Sequence, residues 1–235
     1  MQAVDTSVPS LARGYDYLLG GGANFTADRV LARQWREPYP QAAKLLSLAR
    51  TYTASRCAQL SLDGLRQFID MGSGLPTAPS LHAAVRQASR DASVIYVDRD
   101  PGVVAHARAL VPAGVSVLAG DLLEPEALLW SLRPLANLAR PACLVLGLVI
   151  QALPDLGTAR AVVDVLVRAL APGSHVIITA GAGDDGRLPD TVAGAGLRPE
   201  DVAAFFAGLE LAPPGVTEDG PLLCGAGRKP GESRT

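Results

Sequence analysis

The stretch Gln67-Phe68-Ile69-Asp70-Met71-Gly72-Ser73-Gly74-Leu75-Pro76-Thr77 decides the fold. Five residues of strand-like character, Gln67 to Met71, run straight into two glycines one residue apart. A helical pattern resumes over Pro79–Ser89. Glycines at such a point let the backbone turn sharply and let a ligand come close to it. A lone G-x-G is weak, because a glycine after a strand is often only a turn. Its position carries the reading: open α/β sheets bind their ligands at the carboxyl ends of their strands.

Working outward, the same alternation repeats. Further strand-like runs are Val94–Asp98, Val115–Leu118, Cys143–Val149 and Ser174–Thr179, with helical segments Pro101–Leu110, Pro125–Leu132 and Thr158–Leu170 between them. Apolar runs without polar alternation suit strands covered on both faces. Strand–helix alternation with short connections predicts an α/β fold with a doubly wound, mostly parallel sheet. Toward the amino end the pattern is helical: Pro9–Leu19 with Ser7 as its cap and Gly20-Gly21-Gly22 as its stop, then Thr26 capping a helix to Arg36, then Ala42–Leu62. Toward the carboxyl end, Gly181–Arg198 reads as a Gly/Asp-rich mobile loop and Pro199–Gly208 as a last helix. Leu209–Ala212 and Leu222–Gly225 read as a closing pair of strands, and the charged tail Arg228–Thr235 as frayed. The division expected is residues 1–65 as a helical extension and 66–235 as the sheet domain, the two forming one unit.

Composition excludes several classes. The chain has 235 residues, 49% hydrophobic and 19% charged, with 21 basic against 23 acidic residues and a net charge of -2. That suffices for a large core without disulfides and gives no basic excess for nucleic acid. Cys57, Cys143 and Cys224 are scattered, as are His82, His106 and His175, so neither a disulfide framework nor a metal site is expected. The start MQAVDTSVPS does not read as a signal peptide, and Ala142–Ile150 is far short of the ~20 residues a membrane span needs. A cytoplasmic protein without membrane or nucleic-acid partners is expected, its oligomeric state open.

Three acids stand at the ends of three consecutive strands. Asp98 ends the second strand, about the ~20 residues beyond the glycine turn that a nucleotide-binding βαβ unit requires. There a carboxylate can accept both hydroxyls of a ribose. The other reading is a helix-capping acid before Pro101, a role that Asp100 fills better. Asp121, in Gly120-Asp121-Leu122, can accept an exocyclic adenine amine while Leu122 covers the base; alternatively it caps the helix at Pro125. The third position of a dinucleotide fingerprint is here Thr77 rather than a small residue, and neither a phosphate-cradling charge nor a P-loop is present. A nucleoside without phosphates fits better, namely S-adenosylmethionine, whose cationic sulfonium would welcome nearby acids such as Asp70.

The chain resembles a bacterial family of class I S-adenosylmethionine-dependent methyltransferases. The resemblance rests on PSLARGYDYLLGG (Pro9–Gly21), NFTADR (Asn24–Arg29), QFIDMGSGLPT (Gln67–Thr77), VIYVDRDPGVVAHARAL (Val94–Leu110), the Gly120–Leu122 acid and GAGRKP (Gly225–Pro230). It implies a Rossmann-like seven-stranded sheet, the last strand antiparallel, with the N-terminal helices as a lid. It implies a cofactor held by Asp70, Gly72, Gly74, Thr77, Asp98, Arg99, Asp121 and Leu122, with Gly21 and Asn24 from the lid. The chain departs from the family pattern at Gly22-Ala23, where Lys-Asp is usual, and at Gln151, where a histidine is usual. The segments after the fifth strand and before the last strand are shortened.

Tyr15, Asp16 and Tyr17 are the catalytic candidates, on a short helix that could equally be merely amphipathic. Arg13 and Arg29 could each bind a methionine carboxylate or be simply solvated. The expected function is methyl transfer from S-adenosylmethionine to a small-molecule substrate, with positioning supplying the catalysis. Two alternatives stand beside it. In one, S-adenosylmethionine alone is the substrate of an intramolecular ring closure that yields methylthioadenosine, with Tyr15, Tyr17 or Asp16 as base. In the other, the protein is a non-catalytic sensor.

Overall fold

The computed structural model describes residues 5–183 and 196–231. Its elements in chain order are α1 (Leu11–Leu18), α2 (Thr26–Arg36), α3 (Ala42–Leu62), β1 (Gln67–Met71), α4 (Leu81–Ala88), β2 (Ser93–Asp98), α5 (Pro101–Leu110) and β3 (Val115–Ala119). They continue with α6 (Pro125–Leu132), β4 (Cys143–Gly147), α7 (Leu156–Ala169), β5 (His175–Gly181), α8 (Pro199–Ala203), β6 (Glu210–Leu211), β7 (Thr217–Asp219) and β8 (Leu222–Arg228). The sheet order is β3-β2-β1-β4-β5-β8-β6, with β7 also paired to β8. The first five strands are parallel; β8 runs antiparallel to β5 through seven residue pairs, from His175↔Arg228 to Gly181↔Leu222.

Eight strands stand where seven are expected, and the extra one is a division of the edge. β6 pairs with Gly227–Arg228 and β7 with Leu222–Cys224, both antiparallel. Pro213 and Pro214 lie between them and cannot donate to a ladder. Two short segments therefore replace one long exposed edge, which limits pairing with other chains.

Strand alternation sends side chains to two cores. Ile69, Met71, Ile95, Val97, Leu144 and Leu146 face α6 and α7, packing with Leu128, Leu132, Val162 and Leu166. Phe68, Val94, Tyr96, Cys143 and Val145 face the other way, against Cys57 and Leu60 of α3 and Leu81 and Val85 of α4. α3 thus covers the sheet like any helix of the α/β layer, although it precedes β1. Asp70 sits on this second face, in register with Tyr96 of β2 and Val145 of β4.

Several boundaries shift for local reasons. Ser7 bonds to Asp5 instead of capping α1, which starts after Ser10. Thr26 is the first residue of α2, with Phe25 in the cap place and the Asp28 carboxylate accepting the Phe25 N–H. α4 begins two residues beyond Pro79, and α7 begins two residues before Thr158, because Asp155 caps it by accepting the Thr158 N–H at 2.9 Å. The last helix is one short turn, α8, followed by a 3-10 turn, Ala204–Phe206. The stretch read as a mobile loop lies mostly outside the described residues; its first residue, Gly181, ends β5. The tail's first residues are held, not frayed: Arg228 is in β8, and Lys229 Nζ donates to the carbonyls of Val167, Arg168 and Leu170 at the end of α7. A cation at that helix terminus satisfies carbonyls the helix leaves open and opposes its dipole.

Candidate functional site

A cavity of about 360 Å³ opens at the carboxyl ends of β1, β2, β3 and β4, roofed by the start of α1 and walled on one side by α3. The glycine turn forms its rim. Gly72 and Gly74 have φ of +64° and +60°, a region costly for residues with a Cβ. A Cβ on Gly72 would stand 2.2 Å from Val149 Cγ2, so glycine is required there by space as well as by conformation.

Asp98 organises that turn. Its Oδ2 accepts the Gly74 N–H at 2.9 Å and its Oδ1 the Asp100 N–H at 2.9 Å. Each carboxylate oxygen has a second lone pair, so two acceptor sites remain at the cavity wall. Burial raises the Asp98 carboxyl, against which the N–H groups of Asp100 and Gly74 pull it down. Asp100 caps α5 through Gly102 and Val103, and its Oδ2 accepts the Ser10 hydroxyl at 2.7 Å, fastening the start of α1 to the cavity wall at α5. Asp121 and Leu122 line the cavity after β3; Asp121 accepts the Leu123 N–H at 3.0 Å and lies 3.7 Å from Arg99, another wall residue. Glu124, not Asp121, occupies the cap position of α6.

The structure thus brings Asp70, Gly72, Gly74, Asp98, Arg99, Asp121, Leu122 and Tyr15 to one cavity. The remaining candidates have other partners and are not among the lining residues. Arg13 does not face the cavity: its Nε donates to Asp28 at 2.8 Å, the side chains being 8% and 0% exposed, and its Nη2 donates to the Val8 carbonyl. Arg29 donates to Asn24. Asp16 is a buried hub, accepting the Thr77 hydroxyl at 2.8 Å, the Ala23 N–H at 2.8 Å and the Asn24 amide at 3.0 Å. Gly21 lies so close to that carboxylate that a Cβ would stand 2.0 Å from it. Thr77 therefore ties α1 to the glycine turn from outside the cavity, while Asn24 and Gly21 sit against the same Asp16 carboxylate. Tyr17 packs in the α1–α2 contact around Trp35. Tyr15 meets the same Trp35 edge-on, with ring centroids 5.6 Å apart, and burial pushes its phenol far up, making it a poor base at neutral pH. Gln151 exchanges two hydrogen bonds with the backbone of Gly181, bracing the segment after β4.

Three contributors escaped sequence reading. Arg50, from the middle of α3, donates Nη1 to the Thr77 carbonyl at 3.0 Å and Nη2 to the Leu75 carbonyl at 2.7 Å, locking the far end of the turn. Burial lowers its pKa, against the pull of Asp70. Ser10 is the second. Leu148 is the third, a wall residue with φ of +55°, left-handed for a non-glycine, held by its N–H to the Thr179 carbonyl and Oγ1. Only tertiary proximity gives these residues a role, so no local signal marks them.

A mostly parallel sheet of this order, with a glycine turn, an acid at the end of β2 and a second after β3, defines a Rossmann-like cofactor-binding enzyme. The profile of the family described as S-adenosyl methyltransferase matches residues 1–221, and the chain belongs to that family. It is an S-adenosylmethionine-dependent methyltransferase. A putative methyltransferase from Thermobifida fusca YX is 31% identical and superposes with a TM-score of 0.88, covering 96% of this chain and 97% of that one. A DUF574 family protein from Streptomyces avermitilis MA-4680 is 26% identical with a TM-score of 0.87, over 97% and 100% of the two chains. The N-methyltransferase NodS from Bradyrhizobium japonicum WM9, solved with S-adenosyl-L-homocysteine, shares the fold alone: 16% identity and a TM-score of 0.53, over 93% and 99%. No curated protein matches the sequence. No helix among the described residues is long and apolar enough to cross a membrane, and no group of metal-ligating side chains occurs among them.

Proposed function

We propose that the cavity below α1 holds S-adenosylmethionine, with Asp98 on the ribose, Asp121 and Leu122 at the adenine, and Asp70 toward the methionyl end, and that the acceptor is a small metabolite. The observation that carries this reading is Asp98, oriented by two backbone N–H groups at 2.9 Å and left with acceptor capacity at the cavity wall. NodS, of the same fold, was solved with the demethylated product, which supports a nucleoside of this type. The bound cofactor supplies an electrophilic methyl group on a cationic sulfur.

The chain's own residues then have two tasks. One is orientation, which can contribute up to ~7–11 kcal/mol when reacting atoms are held in line. The other is exclusion of water, served by the roof and walls of Leu11, Tyr15, Leu46, Leu148 and Leu153. Among the described lining carboxylates, Asp98, Asp100 and Asp121 accept backbone N–H groups, whereas Asp70 accepts none.

The alternative in which S-adenosylmethionine is the sole substrate predicts a different product. Mass spectrometry of the protein incubated with S-adenosylmethionine separates the two. Methyl transfer requires an added acceptor and yields S-adenosylhomocysteine; methylthioadenosine formed without an acceptor would overturn it in favour of ring closure.

A further inference from the structure

Asp70 stands apart from the other acids of the cavity. Asp98, Asp100 and Asp121 each accept backbone N–H groups. The Asp70 carboxylate lines the cavity and accepts no hydrogen bond among the described residues. Arg50, the cation nearest in effect, points its two terminal nitrogens at the Leu75 and Thr77 carbonyls, so it bears on Asp70 only through its charge. An enclosed carboxyl without donors is stabilised in its charged form by whatever cation enters the cavity.

The groups around Asp70 have mixed signs. α3 presents Arg50 and the thiol of Cys57; β2 presents Asp98 and the phenol of Tyr96; α1 contributes Asp16, which acts on Arg50. β4 brings only Val145 and Gly147 to this wall. Burial raises Asp70 most, Arg50 draws it back and Asp98 raises it again, leaving it at about 7. The two ligands of a methyltransferase differ by one charge. The methyl donor carries a sulfonium, an ammonium and a carboxylate; the demethylated product keeps the last two and is neutral overall.

We propose that Asp70 tells the cationic methyl donor from its neutral product: the carboxyl releases a proton to solvent when the sulfonium cofactor binds and takes one back after the methyl group has left. This rests on the reading that this cavity holds the cofactor. Its effect is to strengthen donor binding over product binding as pH rises through neutrality, so that Asp70 is a specificity-determining residue for the pair.

Calorimetric titration of the full chain with S-adenosylmethionine and with S-adenosylhomocysteine, in phosphate and in imidazole buffer, counts the protons released. More protons are expected for the donor than for the product. The donor-to-product affinity ratio is expected to climb with pH, up to ~10-fold per unit below the carboxyl's own value. In Asp70→Asn both differences should vanish while both ligands still bind. Equal proton counts in the wild-type protein overturn the proposal, and so does a difference that survives in Asp70→Asn. Should that variant fail to fold, the wild-type counts alone decide. Failure of either ligand to bind would overturn the cofactor reading itself, a result distinct from binding with equal counts.

Discussion

The Thr77 hydroxyl donates to Asp16 Oδ1 at 2.8 Å across 61 residues of sequence. Through this bond the first helix of the chain is tied to the end of the glycine turn. The same carboxylate gathers the Ala23 N–H and the Asn24 amide, so α1, the α1–α2 connection and the turn share one fastening. Asp16→Ala strands three donors, each at a cost of about 1–3 kcal/mol if left unpaired. Thermal unfolding should show a large loss of stability, and hydrogen exchange should show the loss of protection concentrated in residues 11–24.

Asp98→Ala should keep the sheet and weaken cofactor binding. Loss of a charged acceptor of two hydroxyls costs about 1.5–3 kcal/mol. Calorimetric titration with S-adenosylmethionine reads the change; unaltered affinity would remove the ribose from this residue.

Gly72→Ala places a Cβ 2.2 Å from Val149 Cγ2 at a φ of +64°. The backbone strain alone is worth about 1–3 kcal/mol. Lower thermal stability and weaker cofactor binding are expected together, because the turn must open to admit the methyl.

Arg13→Ala leaves Asp28 as a buried charge without its cation, at about 3–5 kcal/mol. Burial raises the Asp28 carboxyl, but Arg13 and the N–H groups of Ser10 and Phe25 outweigh it and hold it below its ordinary value. That stabilisation is present above the unfolded-state value and is lost as pH falls through the folded one. Acid unfolding of the wild-type protein should therefore show a contribution below about pH 4 that the variant lacks.

Asp70 gives the opposite slope. Its carboxyl titrates at about 7 in the folded protein, above the 3.8 of the unfolded chain. A raised value means stability that is full below the unfolded value and declines as pH rises through the folded one. Thermal melts of the ligand-free protein should fall between about pH 4 and 7, and Asp70→Asn should flatten that fall.

What the sequence makes legible is local. β1, α3, α5 and α6 fall on their expected residues, two of them because a proline marks the first helical position at Pro101 and Pro125. The glycine turn, the acid that ends β2 and the acid that follows β3 were legible because strand ends announce themselves in sequence. Arg13 misled because its partner, Asp28, lies 15 residues away on another helix, beyond any helical periodicity. Arg50 was silent for a related reason: one of several polar residues on a long helix, it has no distinguishing mark until the helix lies under a turn 25 residues downstream. Lys229 looked like part of a solvated tail, because nothing near it in sequence is a helix terminus.

The position of β8 bears on how the chain is made. β5 is complete at residue 181, yet the strand that covers its open side ends only at residue 228. During synthesis the ribosome therefore presents a parallel half-sheet whose newest strand has a bare edge, and such edges recruit other chains. The β5 edge is covered only when β8 pairs along it, and Lys229 then fastens the chain against the end of α7.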